Sequence, residues 1–110
     1  GILLGYYDHI LSKVYVVDAC SAPSDSLETE SGFIRGKDGL DKLLAEVLQR
    51  TANIVGYIGE WHSHPVDART TPSAEDLVLL AYLTKKLEQD GLPALMLIVG
   101  EDGEHWSMGS

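Results

Sequence analysis

The amino-acid sequence predicts an α/β (α+β) domain with a mixed sheet. Three observations predict it. Short runs of β-branched and aromatic residues recur along the chain, as in Val14 to Ala19. Two other segments carry leucines at helical spacing. Ala94 to Val99 is apolar at every position, as in a strand buried on both faces. A chain of 110 residues has the size of one domain with its own core.

Taken in order, Ile2 to Tyr7 and Val14 to Ala19 read as two strands joined by the short connection 8–13, a hairpin. The chain opens inside an apolar run, so a further segment is expected before Gly1. Residues 21–32 are polar and rich in turn formers and read as a loop, either a connector or a flap over substrate. Leu40, Leu43, Leu44, Val47 and Leu48 place one apolar stripe on a helix of about residues 38–51. Ile54 to Trp61 reads as a strand, and 65–72, with Pro65 and Pro72, as a loop. Ser73 opens a helix to about Gln89, with Leu77, Leu80, Leu83 and Leu87 on one side and Gly91 and Pro93 at its stop. After Ala94–Val99, residues 101–104 form a turn and His105 to Met108 a last strand.

Charge and cysteine content exclude several classes. The net charge of −9 repels phosphate backbones and anionic lipid, so neither nucleic acid nor a membrane is expected as partner. Cys20 is the single cysteine, which rules out an internal disulfide and a cysteine-rich zinc site. A reducing cytoplasm fits that content. Cys20 ends an apolar run and reads as a core residue.

The chemistry lies in Glu60-Trp61-His62-Ser63-His64-Pro65. Side chains alternate along a strand, so His62 and His64 leave the same face and can converge on one ion. A catalytic zinc takes three protein ligands and keeps a fourth position open. Asp76, in the first turn of the helix opened by Ser73, supplies the third. Ser73 with an acid three residues on also matches an N-terminal capping box, which needs no metal. Other histidine sites are excluded. Position 66 is Val66, so a third alternating histidine is absent, and so is a helical His-Glu-x-x-His. No downstream Asp-His completes a metallo-β-lactamase pattern, and no Pro-Cys-x-x-Cys supports a zinc deaminase.

His62-Ser63-His64-Pro65 followed by Pro72-Ser73-Ala74-Glu75-Asp76 resembles the JAMM motif of the MPN+/JAB family of zinc metallopeptidases. Gly1-Ile2-Leu3-Leu4-Gly5 resembles that family's early Gly-rich strand, and Pro93 to Gly100 its later core strand. The resemblance spans nearly the whole chain. It implies a single JAB/MPN+ domain over 1–110 with a cytidine-deaminase-like layered fold, a curved mixed sheet and flanking helices. It further implies a Zn2+-dependent isopeptidase or peptidase with metal-activated water as nucleophile. The implied substrates are conjugates or precursors of ubiquitin-like proteins. The prokaryotic JAB branch is the most similar. It accompanies E1-like and E2-like enzymes, including those of anti-phage CBASS-type operons, so E1/E2-conjugated targets are the implied partners. His62, His64 and Asp76 match the zinc ligands, and Ser73 matches the serine that hydrogen-bonds the oxyanion.

Two departures qualify the match. The family's general base is a glutamate just upstream of the Gly-rich strand, a position before Gly1. Without it this chain is expected to be impaired, because general acid–base help is worth about 10²–10⁴-fold. The stretch from His64 to Ser73 is also one residue longer than is common. Glu60 shares the histidine face and is the candidate either to support the ligands or to stand in as base. Trp61 and Ser63 face the other way. His9 and His105 read as surface residues, and Asp67 and Arg69 are candidates for touching substrate. The competing class is a non-catalytic MPN-type scaffold, which typically loses the His or Asp ligands that this chain keeps. A DNA-linked role, as in the RadC branch, is opposed by the acidic charge.

Overall fold

The β-branched and aromatic runs of the chain pair with one another and leave the leucine-rich segments to cover the sheet they make. The computed structural model describes residues 1–29, 32–34, 36–64, 70–100 and 103–109. The order is β1 (Ile2–Asp8), β2 (Lys13–Cys20), β3 (Leu27–Thr29), β4 (Gly32–Ile34), α1 (Leu40–Arg50), β5 (Gly56–Ser63), α2 (Ala74–Glu88), β6 (Ala94–Gly100) and β7 (Gly103–Gly109). One sheet has the order β2-β1-β5-β6-β7, and β3 pairs with β4. β5 and β6 run parallel, and the other neighbours in the large sheet are antiparallel. The mixed α+β fold expected from the sequence is the fold observed.

Both faces of the sheet are apolar. On one, α1 lays Leu40, Leu43, Leu44 and Val47 over Ile2, Leu4 and Val55. On the same side α2 lays Leu83 and Leu87 over Ala94, with Tyr57 packed against both clusters. On the other face Leu3, Ile58 and Leu95 pack with Val14, Trp61 and Leu97. β6 supplies Ala94, Met96 and Ile98 to the helix side, all fully buried.

A bulge in β5 matters for the site. Leu3 lies opposite Gly59 and Leu4 opposite Tyr57, so Ile58 is the extra residue. The bulge reverses the alternation. Ile58 joins Trp61 on one face, and Tyr57 joins Glu60, His62 and His64 on the other. Gly59 is required where β5 meets β6, because a Cβ there would collide with the Leu95 carbonyl oxygen.

Several expected boundaries shift for local reasons. α1 starts at Leu40 rather than 38, because Gly39 takes φ +72°, a left-handed conformation that interrupts the helix. Ile54 is not in a strand and is 61% exposed. The chain turns there through Ala52 and Asn53, both at positive φ, and Thr51 Oγ1 accepts the Val55 amide at 3.0 Å. Leu77, assigned to the apolar stripe of α2, is 53% exposed instead. The stretch 21–32 is not all loop, since it contributes β3 and the start of β4. Its first half is tied down by Asp25, whose carboxylate accepts the Lys37 and Asp38 amides at 3.0 and 2.8 Å. α2 stops as expected, with Gly91 at φ +70° and the Leu92 amide donating to the Leu87 carbonyl. No helix among the described residues is long and apolar enough to cross a membrane.

Candidate metal centre

β5, α2 and β6 form a crossover between two parallel strands, which brings the first turn of α2 to the C-terminal end of β5. The strand ladder continues one residue past β5, with the His64 amide donating to the Val99 carbonyl at 2.9 Å. That bond holds His64 in the strand direction, so it projects on the same side as His62. Their ring centroids lie 5.2 Å apart.

α2 brings the carboxylate. Ser73 is its N-cap and accepts the Asp76 amide on Oγ at 3.2 Å, while Asp76 Oδ2 accepts the Ser73 amide at 2.8 Å. This is a complete capping box. The same carboxylate faces both histidines. His62 Nε2 lies 2.9 Å from Asp76 Oδ1, and His64 Nε2 lies 3.0 Å from Asp76 Oδ2. Capping and convergence on the histidines, posed by the sequence as alternatives, therefore coexist in one side chain.

The electrostatics suit a cation. Burial holds the His62 pKa below the ordinary imidazole value, although the Asp76 charge pulls the other way. His62 is therefore neutral near pH 7 and offers a lone pair. Burial alone would raise the Asp76 pKa, but the hydrogen bonds from Ser73 and the two nearby histidines outweigh it and bring it below the usual carboxylate value. His62 Nε2 is buried and makes no hydrogen bond within the described structure, despite its closeness to Asp76. An orphaned buried nitrogen is costly unless something fills its role. One ligand atom from each of His62, His64 and Asp76 lies within 4.8 Å of the other two. Nitrogen, nitrogen and carboxylate oxygen in this arrangement fit a divalent transition metal such as zinc.

The family described as prokaryotic homologs of the JAB domain matches residues 1–109. The chain belongs to the prokaryotic JAB family. It is also 34% identical over 102 residues to a protein of Enterobacter hormaechei subsp. hoffmannii (strain UCI 50) named CD-NTase/cGAS isopeptidase. That match covers 93% of the JAB chain and 54% of the relative, so the chain spans about half the length of the relative.

The remaining candidates of the JAB chain fall around this centre or away from it. Glu60 is 5% exposed, in the middle of β5, and its Oε2 accepts the Tyr57 hydroxyl at 2.9 Å. It shares the histidine face but is outside the group of converging ligands. Trp61 packs on the opposite face and donates Nε1–H to the Cys20 carbonyl at 3.0 Å. The Cys20 thiol is half-buried against the core, and burial pushes its pKa up, away from a reactive thiolate. His9 sits in the β1–β2 turn and His105 on β7. Pro65, Val66, Asp67 and Arg69 lie outside the described residues, as do Glu101 and Asp102 of the expected turn. Tyr57 is the residue that sequence reasoning missed. Simple alternation puts positions 57 and 60 on opposite faces, and only the bulge at Ile58 brings them together.

Proposed function

We propose that residues 1–110 form one JAB domain acting as a zinc metallopeptidase, which hydrolyses isopeptide or peptide bonds of conjugates or precursors of ubiquitin-like proteins in the cytoplasm. One observation carries the reading: His62 Nε2, His64 Nε2 and the Asp76 carboxylate converge, and the buried His62 nitrogen lacks a hydrogen bond. His62, His64 and Asp76 would hold the ion. When bound, it supplies a Lewis acid for the scissile carbonyl and lowers the pKa of water to about 7.

The chain's own residues do the rest. The hydrogen bond from the Ser73 amide keeps Asp76 ionised and aimed at the histidines. Ser73 itself is exposed at the helix start, and its O–H can donate to an oxyanion developing on the carbonyl beside it. The hydrogen bond from Tyr57 supports a structural role for Glu60, buried two residues before His62, over a role as base. The relative's name supports an isopeptidase activity and ties that protein's activity to CD-NTase/cGAS.

The test uses the full-length protein, purified with zinc, and an isopeptide-linked conjugate of a ubiquitin-like protein. About one zinc per chain is expected, with cleavage abolished by chelator and by His64→Ala. Zinc binding without cleavage would favour a partner-binding scaffold. Less than about a tenth of an equivalent of zinc would remove the basis of the reading.

A further inference from the structure

Tyr57 and Glu60 stand on either side of the Ile58 bulge, and the Tyr57 hydroxyl donates to Glu60 Oε2 across it at 2.9 Å. The bulge divides β5 in two. Before it, Gly56 and Tyr57 lie opposite Gly5 and Leu4 of β1. After it, Gly59 to Ser63 run in unbroken register with Leu95 to Val99 of β6. The phase between the two halves decides which face the later residues take. A one-residue slip of the second half would turn His62 and His64 to the far face, away from Asp76.

The Tyr57 ring belongs to the helix side of the sheet. It packs against the cluster that holds Leu83 and Leu87 of α2, as well as the one beneath α1. α2 also carries Asp76 in its first turn. Glu60 lies in the second half of β5, one same-face step before His62. The hydroxyl therefore ties the helix that bears one converging group to the strand that bears the other two. A carboxylate is costly at this position. Its neighbours across the ladder are Ile2 and Met96, both buried, and Glu60 is buried with them. Buried polar pairs kept at a cost in stability are best attested where they fix register.

We propose, on the reading of His62, His64 and Asp76 as metal ligands, that the Tyr57–Glu60 hydrogen bond is the positioning element of that centre. It locks β5 across the bulge and against α2, so that the two imidazoles arrive in register with the carboxylate. Neither residue is a ligand, since Glu60 lies outside the converging group. Both act through the strand and the helix that hold the ligands.

Zinc affinity of the full-length protein, measured by competition with a chromophoric chelator, tests this. Tyr57→Phe keeps the packed ring and removes the donor. It should weaken zinc binding by about 10–100-fold, the usual effect of losing an outer support of a metal site. Glu60→Leu removes the acceptor and should weaken binding to the same extent, with the double variant no worse, because the two residues act as one unit. Glu60→Gln keeps an acceptor for the hydroxyl and should hold zinc within about threefold of wild type. With cobalt at saturation, the visible ligand-field bands of Tyr57→Phe should shift from those of wild type, and those of Glu60→Gln should not. Circular dichroism at the assay temperature checks that each variant is folded, and should Glu60→Leu not fold, Tyr57→Phe and Glu60→Gln decide. A Tyr57→Phe variant that melts earlier but keeps wild-type zinc affinity and cobalt spectrum overturns this proposal alone. Glu60→Gln losing as much affinity as Tyr57→Phe does so too, since the hydroxyl would then have kept its acceptor to no effect. A wild type that binds no zinc overturns the metal reading itself, and this proposal with it.

Discussion

The Asp76 carboxylate has two jobs at once. Oδ2 closes the capping box with Ser73 and faces His64, while Oδ1 faces His62. Ser73 caps the helix and, in the proposed function, donates to the oxyanion, and the two roles can be separated. Ser73→Ala should lower stability by about 1 kcal/mol through the lost cap, and Ser73→Gly by only a few tenths. Both should reduce kcat on a cleavable conjugate by about 10²-fold, the usual effect of losing an oxyanion donor. Thermal melts and kinetics of the two variants check this, and an unchanged kcat in both would leave Ser73 as a cap alone. The pH dependence of the metal-free chain follows from the same residues. The His62 pKa lies below 6.5 in the folded state, so below pH 6.5 the unfolded chain binds a proton that the folded chain resists. Stability therefore falls as pH drops from 6.5 toward the folded value. Asp76 adds a second loss only below 3.8, as pH falls through its lowered folded pKa. His62→Asn should flatten the fall of melting temperature between pH 6.5 and 5, a slope that calorimetry measures directly.

At the scale of elements, α2 shows how far periodicity reaches. Leu77, Leu80, Leu83 and Leu87 share a helical stripe, yet only Leu83 and Leu87 are buried. The first turn is spent on Asp76, which meets the histidines at the end of β5, so Leu77 is left in solvent. Leu83→Ala should therefore cost about 2–5 kcal/mol, while Leu77→Ser should stay within about 0.5 kcal/mol of wild type. Urea denaturation distinguishes these, and equal losses would contradict the burial pattern. The bulge in β5 is the other device at this scale. It lets Tyr57 anchor under both helices and still reach Glu60. A buried carboxylate is tolerated only with such partners, so the hydrogen bond accounts for an acid in a strand core.

At the scale of the whole molecule, a net charge of −9 works against compaction, and a dication held at the proposed site would relieve part of it next to Asp76. A metal that binds only the folded chain stabilises it by about 2.7 kcal/mol at one hundred times its Kd. Zinc should thus raise the melting temperature of wild type and leave Asp76→Ala unmoved, as differential scanning calorimetry would record. The local text of the chain was enough for most elements and for the convergence of His62, His64 and Asp76. His62 and His64 are two apart on a strand and Asp76 follows a capping serine, so their chemistry is written in short-range spacing. Sequence could not show that β3 and β4 pair, that Gly39 interrupts a helix, or that Ile58 bulges. It could not say that Tyr57 meets Glu60, or which leucines of α2 reach the sheet. Those outcomes depend on partners distant along the chain, brought near only when β1, β5 and β6 assemble. Periodicity records which side chains share a face, and only packing decides what that face meets.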